Sequence, residues 1–107
     1  MSRSGRDLDA AILSELESRV ADLRGKSFEH LLSLPEAGTD QLEILGKRVT
    51  FTVFRERQDD GTLMILVRSD KPIFFGIGTA GVTRGFFVYP NGKKRDAFGN
   101  EISEFFA

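Results

Sequence analysis

The chain has 107 residues, 40% hydrophobic and 29% charged, with ten Phe, no Trp and no Cys. That length and composition specify a single globular domain, residues 1–107, with a core of its own, and exclude a disordered chain. The lack of Cys excludes disulfides, thiolate metal sites and a Cys nucleophile, and a net charge of −1 does not suit a surface built to neutralise nucleic-acid phosphates.

Residues 1–5 read as a loose tail. Ser4 and Asp7 have the spacing of a capping box, and Leu8, Ile12, Leu16, Val20 and Leu23 then recur every three to four residues, the stripe of an amphipathic helix that Gly25 should stop. Asp9 and Arg19 project near that stripe. Asp9 would sit in the first turn, where a negative charge suits the helix dipole, and Arg19 can lay its stem along apolar surface. Ser27 caps a second, short helix, Phe28 to Leu34, which Pro35 ends. Pro35 to Gln41 reads as loop.

The period then changes from helix to strand. Leu42, Ile44, Val49, Phe51 and Val53 alternate with polar residues, and Gly46-Lys47 between them reads as a two-residue hairpin turn. Asp60-Gly61 marks the next turn, before the apolar run Leu63 to Val67. Asp70-Lys71-Pro72 breaks the pattern. Ile73 to Ile77 and Thr83 to Tyr89 are two further strands, with Gly78 to Gly81 as their connection. Pro90-Asn91-Gly92 turns the chain into a last strand, Lys93 to Phe98, and Asn100 caps a final helical turn ending in Phe105 and Phe106. No segment is long enough for the crossovers that parallel pairing requires, so the sheet must be antiparallel. The expected fold is α+β: two N-terminal helices packed on one face of a five- or six-stranded antiparallel meander sheet.

Three motifs suggest chemistry, and each has a plainer reading. Gly76-Ile77-Gly78-Thr79-Ala80-Gly81 spells G-x-G-x-x-G, but a dinucleotide site needs a helix opening at the third glycine, and Val82 to Pro90 reads as strand. Arg84 to Tyr89 is similar to the RNP1 string of RNA-recognition domains. However, Phe86 and Phe87 are adjacent, and adjacent strand residues face opposite ways, so they cannot form one stacking platform. Lys93-Lys94-Arg95 fits a solvated hairpin. His30 is the only histidine and lacks a partner for catalysis or metal binding. Asp59-Asp60 is explained by the turn it occupies. We therefore expect no catalytic residue, no cofactor, no metal, no nucleic acid and no membrane partner. The polar N-terminus lacks a secretory signal and no apolar run could span a bilayer, so the expected location is cytoplasmic.

The most informative feature is apolar doubling. Leu63 to Val67, Phe74-Phe75 and Phe86-Phe87-Val88-Tyr89 are apolar at consecutive positions, so these strands are greasy on both faces. Two short helices cover one face. The other needs the C-terminal Phe105-Phe106 segment, sheet curvature or another molecule. The expected function is a small non-catalytic protein–protein interaction domain. It would form a homodimer, with Phe74, Phe75, Phe86 and Phe87 as candidate interface residues. The alternative is a small-ligand binder or enzyme with a Phe-lined pocket between a curved sheet and the helices.

Overall fold

The computed structural model describes residues 3–73 and 78–106. Its elements run α1 (Arg3–Arg24), α2 (Phe28–Leu32), β1 (Ala37–Ile44), β2 (Lys47–Arg57), β3 (Leu63–Ile73), β4 (Gly78–Val88), β5 (Lys94–Asp96) and α3 (Gly99–Phe105). The five strands form one antiparallel sheet in chain order. The α+β class and the meander follow the expectation, with five strands, one of the two numbers expected.

The helical stripe does what its spacing requires. Ile12 and Leu16 of α1 are buried with Val49, Phe51 and Val67, while Leu31 of α2 is buried with Leu63, Ile65, Phe86 and Val88. α2 is only five residues long; Ser27 Oγ accepts the His30 N–H at 3.1 Å, as its cap. α1 is already helical at Arg3, so Ser4 is not its N-cap and Asp9 lies beyond the first turn. Asp9 instead ion-pairs with Lys71 of β3. Arg19 lies over the Phe51 ring at 4.2 Å and reaches Asp40 of β1 at 2.7 Å, linking helix to sheet.

Several strand boundaries differ from the sequence reading, that of β4 among them, which begins at Gly78 rather than Thr83. β1 begins at Ala37, inside the expected loop, because pairing with β2 supplies what the weak strand propensity of Gly38 to Gln41 does not. β3 runs unbroken through Asp70-Lys71-Pro72, which pair with Gly81, Ala80 and Thr79 of β4. Proline is tolerated because its nitrogen lies beyond the last β2–β3 pair, Thr50–Asp70, so no ladder bond needs an N–H from residue 72. The first hairpin loop is Leu45-Gly46, one residue earlier than expected. Both residues have positive φ (48° and 80°), the type I′ pattern that suits strand twist.

The second face is covered from within the chain. Met64, Leu66 and Phe87 are buried there against Phe54, Ala97, Ile102 and Phe105. Phe54 meets Phe105 and Phe106 edge-on at 5.4 and 5.3 Å. Arg95 fixes α3 by a two-pronged bond to Glu101 at 3.0 and 2.8 Å, while stacking on Phe87 at 4.2 Å. The cap of α3 is at Phe98, not Asn100: Glu101 accepts the Phe98 N–H at 2.9 Å.

Candidate functional site

Of the four phenylalanines expected at an interface, Phe86 is fully buried under the helices and Phe87 is 8% exposed under α3. Both rings pack within the chain itself, Phe86 beside Leu31 of α2 and Phe87 beside Ile102 and Phe105 of α3. Phe74 and Phe75 lie outside the described residues. Gly76 and Ile77 of the G-x-G-x-x-G string also lie outside them. The rest of that string, Gly78 to Gly81, is strand, and β4 continues through it without a helix opening. His30 is exposed at the middle of α2. Asp60 has the turn role expected of it: its carboxylate accepts the Thr62 N–H at 2.9 Å, which holds it below the usual carboxylate range.

What the structure presents instead is an open strand edge. β5 pairs with β4 only from Phe86 to Val88. The Ala97 N–H donates to the Gly85 carbonyl at 3.0 Å and the Tyr89 N–H to the Lys93 carbonyl at 2.8 Å. In an antiparallel ladder the backbone groups of successive residues point to alternate sides. Gly85, Phe87 and Tyr89 therefore face β5, and residues 78, 80, 82 and 84 face β3. The N–H and C=O groups of Thr79, Gly81 and Thr83 face outward, where no other strand lies alongside among the described residues. One outward carbonyl, that of Thr83, accepts a side-chain bond from Arg84 Nη1 at 3.0 Å.

Natural edge strands are guarded by charge, proline or cover. β1, at the other edge of the sheet, carries Asp40 and Glu43. From Gly78 to Gly85, β4 has no proline and a single charge, Arg84. Beside it, on the helix face, α1 and β4 enclose a groove of about 370 Å³ floored by Ile12, Leu13, Ala80 and Val82. Leu13 and Val82 are 36% and 41% exposed. The Asp9–Lys71 pair is part of the groove's lining. No phenylalanine lines it, so it is not the Phe-lined pocket of the alternative reading.

The opposite face holds a wider depression of about 670 Å³ beside α3, with Met64 and Phe87 at its floor and Glu56, Asp59, Glu101 and Glu104 among its walls. Glu101 is occupied: Arg95 and the Phe98 N–H push its carboxyl down to about 2. No group of three or more His, Cys, Asp or Glu suited to a metal ion occurs among the described residues, and no helix among them is long and apolar enough to cross a membrane.

The β4 edge escapes a sequence reading that treats Gly78 to Gly81 as a connection. Its strand character, though not its place at an edge, was legible in Thr79-Ala80-Gly81-Val82-Thr83, which is free of proline and charge and alternates polar with apolar except at Gly81. In comparisons with protein-family models, curated proteins and solved structures, no match to this chain was found.

Proposed function

We propose that the chain is a non-catalytic protein–protein interaction domain that self-associates by extending its sheet. The observation that supports this reading is the unguarded β4 edge, with the outward backbone groups of Thr79, Gly81 and Thr83 beside an exposed apolar groove. An added strand would satisfy those groups and cover Val82, so backbone bonds supply affinity and the groove supplies selectivity. Sedimentation over a wide concentration range tests it. Wild-type protein is expected to associate reversibly. Thr83→Pro removes an N–H that β3 does not use, and should abolish association while leaving the thermal melt nearly unchanged. A wild-type chain that stays monomeric at millimolar concentration would overturn the reading.

A further inference from the structure

Thr79-Ala80-Gly81-Val82-Thr83 is symmetric in chemical type about its centre: threonine, small apolar, glycine, apolar, threonine. An antiparallel pair of identical strands must place residues related by such a centre opposite each other. We infer that the partner of the β4 edge is the β4 edge of a second copy, paired antiparallel about a twofold axis at Gly81. This rests on the strand-addition reading above, and adds the occupant and its register.

The residues that meet in this register are compatible. On the face away from the helices, Thr79 meets Thr83 of the second copy, a favourable cross-strand pair. On the helix face, Ala80 meets Val82 of the second copy. The two grooves, each flanked by Leu13, then join into one apolar floor across the axis. Arg84 meets Gly78, so no like charges oppose each other. The rows continue into β3 in the same way: Ser69 pairs with Val82 and Lys71 with Ala80. At the axis itself, neither Gly81 has a side chain to hold the strands apart. The space above it is already taken, because a Cβ there would lie 2.7 Å from Asp70 Oδ1 and 2.8 Å from Arg68 Nε.

The distal hairpin gives a reason for the pairing. Beyond Asp70, β3 has lost β2, and before Gly85, β4 has not yet met β5. Lys71–Ile73 and Gly78–Ala80 are therefore a two-stranded ribbon, a marginal structure by itself in water. Pairing two copies makes it the middle of a sheet eight strands across, β1 to β4 of each copy, with each β5 on the same edge of β4 that receives the second copy.

The chain has no native Cys, so introduced thiols are unique. Ala80 and Val82 of the second copy form a non-hydrogen-bonded pair, the closer of the two antiparallel pair types and the one that suits a disulfide. Ala80→Cys protein mixed with Val82→Cys protein in a thiol–disulfide buffer should cross-link between chains roughly tenfold faster than a Thr79→Cys and Val82→Cys mixture, whose thiols lie on opposite faces. In wild-type protein mixed from differently labelled samples, an intermolecular contact between the Ala80 and Val82 methyls should appear by NMR; this keeps the test valid if a variant folds poorly. An associating protein with neither signal would overturn the register while leaving strand addition standing. A monomeric protein would overturn both.

Discussion

At the scale of single residues, two backbone positions carry more than their side chains suggest. Leu45 is 65% exposed and sits at φ 48°, a conformation that costs an ordinary residue roughly 1–2 kcal/mol. Asparagine adopts it more readily, so Leu45→Asn should stabilise the fold by about 1 kcal/mol, seen as a melting point raised by about 4 °C. A melting point that did not rise would show that Leu45 is not strained. Gly85 is the opposite case. A Cβ there would fall inside contact distance of the Ile65 carbonyl oxygen and 2.5 Å from Leu66 Cδ2. Backbone cannot yield as a flexible side chain can, so Gly85→Ala should destabilise by about 2 kcal/mol or more in denaturant titration. An equally large loss is expected for Leu16→Asp, which puts a carboxylate at a fully buried site, whereas exposed Glu17→Ala should be nearly neutral.

At the scale of elements, α3 is held to the sheet by a few apolar side chains and one polar clasp. Seven residues cannot sustain a helix alone, so its order comes from Ile102 and Phe105 on the sheet and from Arg95 on Glu101. The Arg95 bonds, and after them the Phe98 N–H, lower the Glu101 carboxyl from 4.5 to about 2. A carboxyl lowered in the folded state adds stability that is complete above its unfolded value and lost as pH falls through the folded one. The docking of α3 should therefore hold from neutral pH to about 4.5, weaken below that, and lose the Glu101 contribution near pH 2. The NMR shifts of Ile102 and Phe105 would follow it. In Glu101→Gln the same signals should start out looser and lose that acid transition; an unchanged transition would assign it to another carboxylate.

At the scale of the whole molecule, the described residues form an elongated body. The extents are 49 × 27 × 22 Å and the radius of gyration is 14.8 Å, against roughly 13 Å for a compact domain of this length. Self-association through backbone bonds and an apolar floor should be nearly insensitive to salt, unlike attraction between opposite charges. Amide exchange gives a finer check. At low concentration the amides of Thr79, Gly81 and Thr83 should exchange fast and those of Ala80, Val82 and Arg84 slowly; at high concentration the first three should become protected. Protection independent of concentration would argue against an edge that receives a second copy.

Local pattern alone determined the α+β order, the antiparallel connectivity and the buried stripe of α1, because side-chain period and short connections act within a few residues. It also showed that both sheet faces needed cover, since Phe86 and Phe87 must point opposite ways. Only the tertiary structure decided what supplies that cover. The burial of Phe87 depends on where α3 lands, and that follows from contacts of Ile102 and Phe105 with strands far away in sequence. The same holds for Pro72, acceptable in β3 only because the pairing of β3 with β2 has stopped at Asp70, and for Gly78 to Gly81, whose glycines read as a loop until β3 pairs with them. The open edge of β4 was beyond any local reading, because a strand is an edge only by virtue of what fails to lie next to it.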